Sequence, residues 1–113
     1  MIKKPLFIMK KLPPIHPGTI LKSRFLKPHQ ISQAELARRI NISIKRVNEI
    51  CLGKRGITPD TAFRLALGFN LGAEGVEFWI NLQQRYEREI WKDYLARQEK
   101  IITREVQPLP SLK

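Results

Sequence analysis

A chain of 113 residues, 42% of them hydrophobic, suits one compact domain with tails. Its single cysteine, Cys51, excludes an internal disulfide and fits a reducing, cytoplasmic setting, and no apolar run reaches the length of a membrane span. The net charge of +11 is confined to one half: residues 1–57 carry 13 Lys/Arg and 2 acids, residues 58–113 carry 8 of each, and such an asymmetry marks a polyanion-binding face rather than a solubilising coat.

Residues 1–15, with Pro5, Pro13 and Pro14 and little periodicity, read as a flexible N-terminal arm. The opening MIKKPLFIMKKLPP is not expected to act as a secretory signal. Its apolar stretch, Leu6 to Met9, is short, lysines interrupt it, and no small-residue cleavage site follows. Ile20, Leu21, Phe25 and Leu26 give helical spacing over Thr19 to Lys27, and Pro28 is expected to end that helix. Ser32 is an N-cap, and Glu35 completes a capping box. Leu36, Ala37 and Ile40 then form the buried stripe of a second helix. Asn41 suits a left-handed turn. Ser43 caps a third helix with Val47, Ile50 and Cys51 inward, and Gly53 ends it.

Thr58-Pro59-Asp60 starts a fourth helix, whose apolar face is Ala62, Leu65, Ala66 and Phe69. A loop from Asn70 to Gly75 is expected before a long last helix, about Val76 to Lys100. Residues 101–113, with Pro108 and Pro110, read as an irregular tail. No strand pattern or internal repeat stands out. The expectation is an all-α fold of five helices, with the domain at 16–100.

The second and third helices carry the functional signal. Only a short turn separates Ile40 from Ser43, and the small Ala37 lets two helices cross closely. The later helix of such a pair can lie in the major groove of DNA. Its exposed positions are Ser43, Ile44, Lys45, Arg46, Asn48 and Glu49. Lysine and arginine donate to guanine O6 and N7, and asparagine pairs adenine. Gln33 can reach a phosphate, and Lys54 and Arg55 are placed as phosphate clamps. Arg38 and Arg39 fit either a DNA contact or a solvated face.

QAELARRINIS-IKRVNEICLGKR resembles the Xre, or lambda-repressor-like, helix-turn-helix class. More narrowly, IHPGTIL (15–21), LGKRGITPDTAFRLA (52–66) and EFWINLQQRY (77–86) are similar, in order, to motifs of HigA-type (VapI-type) antitoxins. The resemblance implies a lambda-repressor-like domain with a long C-terminal helix. It also implies an antitoxin that neutralises a RelE-like mRNA-cleaving toxin and represses their shared operon, usually as a dimer. The residues alone point to a binder of double-stranded DNA. A solitary regulator, or a nucleic-acid-associated adaptor without a toxin, is the other reading they leave open.

Enzymatic readings fare poorly. His16 and His29 have no carboxylate or cysteine at metal or triad spacing, so neither a catalytic residue, a metal nor a cofactor is expected. His16, beside Pro17-Gly18, reads as positioning the first helix, and Cys51 as a small core residue. Trp79, Leu82, Tyr86, Ile90 and Tyr94 recur at helical spacing, and Phe78, Trp91 and Leu95 broaden the stripe. That is more apolar surface than one small domain covers. Its start should close the core, and the rest should pack across the two-fold axis of a homodimer.

Overall fold

A computed structural model describes residues 13–110; most of the expected arm, including Leu6-Phe7-Ile8-Met9, lies outside the described residues. Among the described residues the chain forms five helices and no strand. We label them α1 (residues 17–29), α2 (Gln33–Ile40), α3 (Ile44–Cys51), α4 (Pro59–Gly68) and α5 (Gly72–Glu105).

α1 begins two residues before Thr19 because His16 caps it. The ring Nδ1 accepts the Gly18 N–H at 2.8 Å. Pro17 takes the first turn, where a missing N–H loses nothing. Gly18 is dictated by packing: a Cβ there would sit 1.8 Å from the Ile50 carbonyl oxygen. α1 thus meets the end of α3 backbone to backbone.

Pro28 does not stop α1. From Leu21 to Leu26 the helix widens to π-helical register, and the Lys27 N–H donates to the Lys22 carbonyl five residues back. Pro28 then enters at the start of a fresh α-turn, Lys27–His29, where its missing N–H is tolerated. Burial of Leu21 and Leu26 holds this path against the local preference of a residue preceding proline. The stop comes from Gln30, left-handed at φ 56°, which turns the chain so that the Ile31 N–H reaches the Leu26 carbonyl at 2.9 Å.

The caps of α2, α3 and α4 fall on Ser32, Ser43 and Thr58, whose hydroxyls accept the N–H of Glu35, Arg46 and Thr61. The capping box at Ser32 is only half built. The Glu35 carboxylate turns to Arg39 at 2.7 Å and Arg38 at 3.3 Å instead of back to its cap. The expected core assembles: Leu21, Leu26, Leu36, Ala37, Ile40, Val47, Ile50, Cys51, Ala62 and Leu65 are buried together with Ile57 and Trp79. The Trp79 ring lies 4.9 Å from that of Phe25, and its Nε1 is buried without an acceptor.

The loop expected over Asn70 to Gly75 is mostly helix. Asn70 is left-handed at φ 56°, the Leu71 N–H closes α4 on the Ala66 carbonyl at 2.8 Å, and α5 starts at Gly72. Gly75 reads as a breaker in sequence, yet it is a contact: a Cβ would lie 2.3 Å from Leu71 Cβ and 3.1 Å from Ala66 Cβ. At the other end α5 runs on through 101–105, where an irregular tail is expected from the sequence. Those five residues contain no breaker, and the helix yields only two residues short of Gln107, which Pro108 pushes out of helical geometry. With 34 residues α5 is about 51 Å long. Its first turns pack on α4. Beyond Tyr86 no described residue is buried, and Ile90, Trp91, Tyr94, Leu95, Ile101 and Ile102 stand at least 36% exposed.

Candidate nucleic-acid interface

Two short helices and the turn between them build the interface. α2 ends at Asn41, left-handed at φ 57°, so only Asn41, Ile42 and Ser43 separate the two axes. Ala37, Ile40, Val47 and Ile50 are buried between them and the body, which fixes the opposite face of α3 outward.

On that outer face Ile44 is 54% exposed, Lys45 and Asn48 are exposed, and Arg46 and Glu49 are half-buried. Ser43 is committed by its cap to the Arg46 N–H at 3.1 Å. Asn48 Nδ2 donates to Gln33 Oε1 at 3.1 Å, so the first residue of α2 and the second turn of α3 share one polar contact. Glu49 takes the Arg55 guanidinium at 2.8 Å. Lys54 is exposed on the loop that follows α3.

Of the nine expected residues, four form two linked pairs, Ser43 serves as the cap and Arg46 is half-buried. Gln33 and Asn48 are joined, Glu49 and Arg55 are joined, and Ile44, Lys45 and Lys54 point to solvent. Arg38 and Arg39 pair with Glu35, whose carboxyl is held below the usual carboxylate range chiefly by the Arg39 hydrogen bond.

The loop after α3 is held from behind. Gly53 turns it at φ 77°, and the Lys54 N–H donates to the Glu49 carbonyl at 2.8 Å. Gln83 on α5 accepts the Ile57 N–H at 2.8 Å through Oε1 and donates to Glu87 at 2.9 Å. Gly56 leaves room for this, since a Cβ would come 2.7 Å from Gln83 Nε2. His16 lies edge-on to Tyr86 with ring centroids 4.8 Å apart. Partial burial pushes its pKa down, against a smaller upward effect from its hydrogen bond with the Arg55 backbone. Burial raises the Cys51 thiol, and nearby Lys22 offsets part of that.

Two supporting residues escaped the sequence reading. Gln83 lay in the quoted motif without a role. Arg64 on α4 gave no local signal, because its backbone partners are 23 and 24 residues away. Among the described residues no group of three or more His, Cys, Asp or Glu could hold a metal, and no helix is long and apolar enough to cross a membrane.

Residues 23–76, from within α1 to the start of α5, match the family model described as Helix-turn-helix. The chain is 43% identical over 77 residues to virulence-associated protein I of Dichelobacter nodosus, covering 68% of each chain. It is similar to the solved structure of Pseudomonas aeruginosa antitoxin HigA with the higBA promoter, at 41% identity and TM-score 0.67, over 85% of this chain and 98% of that one. A HigA-family antidote protein from Coxiella burnetii gives 39% identity and TM-score 0.67, over 87% and 100%. By these matches the chain belongs to the HigA-type, or VapI-type, antitoxins of the Xre-like helix-turn-helix family.

Proposed function

We propose that this protein is a cytoplasmic antitoxin that binds operator DNA through α3, represses its own operon, and neutralises a RelE-like mRNA-cleaving toxin encoded beside it. The observation that carries the reading is the outer side of α3, where Lys45, Arg46 and Asn48 fall within one turn and Gln33 is bonded to Asn48. In this reading Lys45, Arg46 and Asn48 meet base edges, Ser43, Ile44 and Glu49 line the groove, and Gln33, Lys54 and Arg55 hold phosphates. The similarity to a HigA solved with its promoter supports it. No residue is assigned a catalytic, metal or cofactor role.

The protein acts as a homodimer through the open face of α5. The toxin docks away from the basic helix pair, where Glu74, Glu77, Glu87, Glu89, Asp93, Glu99 and Glu105 supply negative charge. Growth rescue against the neighbouring gene product tests this. The Lys45→Ala/Arg46→Ala variant should lose binding to the duplex upstream of its own gene and still rescue growth. A folded, well-expressed double variant that fails to rescue overturns the separation of surfaces. If the wild type binds the duplex but rescues nothing, a solitary regulator remains. That outcome fits the 31% identity to the Escherichia coli HTH-type regulator YbaQ, 88% of which is covered.

A further inference from the structure

The helix pair is held at its turn from outside. At the end of α2 the Ile40 carbonyl has no partner within its helix, as the last carbonyls of any helix do not. The next residue, Asn41, is left-handed, so its own carbonyl is also turned away from the helix. Arg64 Nη1 donates to both, at 3.0 Å to Ile40 and 3.4 Å to Asn41. The same guanidinium anchors itself on α4, where Nε donates to Asp60 at 2.8 Å.

Three features make this more than a surface ion pair. A positive charge sits at the negative end of the α2 dipole, where it stabilises. The planar fork spans a carboxylate on one edge and backbone carbonyls on the other, which a lysine cannot reproduce. Finally, α4 is drawn in at this point: one turn after Arg64, a Cβ on Gly68 would come 2.6 Å from Ile40 Cγ2. Gly68 lets α4 approach, and the approach brings Arg64 into reach.

We infer that Arg64 is a positioning residue for DNA reading: it fixes the left-handed turn at Asn41 and through it the angle at which α3 leaves α2. It touches no base. The inference rests on the proposed operator binding, and the test separates the two.

Amide hydrogen exchange is measured on the full chain for the wild type, Arg64→Gln, Arg64→Lys and Asp60→Asn. Affinity is measured for the duplex upstream of its own gene and for a shuffled duplex of the same composition. The Ile42 N–H, which donates to the Ala37 carbonyl at 3.1 Å across the turn, is the local reporter. Loss of the charge-assisted bonds to the Ile40 and Asn41 carbonyls should speed its exchange about tenfold in Arg64→Gln, while the Phe69 N–H at the end of α4 keeps its protection. The preference for the cognate duplex should fall about tenfold with affinity for the shuffled one unchanged. Arg64→Lys should fall short of rescue, and Asp60→Asn, which keeps both carbonyl bonds, should lie near wild type.

Unchanged exchange at Ile42 in Arg64→Gln overturns the inference. So does equal loss of protection at Ile42 and Phe69, which would make Arg64 a general stabiliser. Should Arg64→Gln not fold, Arg64→Lys is judged by the same two amides. A wild type without duplex preference defeats the operator reading, while the exchange at Ile42 still decides the clasp.

Discussion

His16 shows how one side chain can be legible in sequence and still hold more than the sequence tells. Its place before Pro17-Gly18 marks it as a helix positioner, and it is the cap of α1. Its contacts with Tyr86 and the Arg55 backbone were not legible, because they join residues far apart in the chain. A ring that accepts the Gly18 N–H at Nδ1 must be neutral there. With the folded pKa below 6.5, the unfolded chain takes up the proton first as pH falls. The contribution is therefore complete above about pH 6.5 and is lost as pH drops through the window between 6.5 and the lower folded value. Urea midpoints should fall from pH 7.5 to 5.5 in the wild type. They should fall less in His16→Asn, which keeps a capping group without titrating. Parallel slopes would refute the assignment.

Lys45 and Lys54 can be told apart at the same scale. Lys45→Ala should cost about 1–3 kcal/mol on the cognate duplex and relax its preference. Lys54→Ala should weaken cognate and shuffled duplexes alike and flatten the salt slope by about one unit. Titrations at several salt concentrations measure both, and an unchanged ratio in Lys45→Ala would remove α3 from the groove.

Helices announced themselves where caps and periodicity agreed. Ser32, Ser43 and Thr58 each placed a start, and the inward stripes of α2, α3 and α4 are buried as their spacing requires, except that Phe69 caps the end of α4 and is only half-buried. The errors came from residues with two uses. Pro28 stops most helices, yet a π-helical stretch before it resets the hydrogen-bond register. Gly75 suggests a loop, yet it is the point where α5 touches α4. Each was settled by packing, which local sequence does not carry. The two tryptophans of α5 give the sharpest contrast between its halves. Trp79 is fully buried, so Trp79→Ala should cost about 3–5 kcal/mol in urea unfolding. Trp91 is 50% exposed, and Trp91→Ala should cost far less in a monomer. Equal losses at low protein concentration would mean that the distal half of α5 is covered within one chain.

The whole molecule is a small body with a rod, with principal extents of 56 × 45 × 25 Å. Surplus apolar surface is legible in the residues but its shape is not, since the rod's ends depend on the Asn70 turn and on the helix continuing to Glu105. The proposed dimer predicts a concentration-dependent sedimentation coefficient that Trp91→Ala/Leu95→Ala shifts toward monomer. A wild type that stays monomeric at micromolar concentration, yet binds its duplex tightly, would refute it. Cys51 adds a consequence of its own. The chain's single thiol is buried at the last turn of α3, with its ionisation suppressed by that burial. A thiol reagent can attack only molecules whose body has come apart around α3. Labelling kinetics thus count the rare open population directly, without an added probe. If operator binding engages α3, saturating duplex should slow that chemistry in proportion to its affinity.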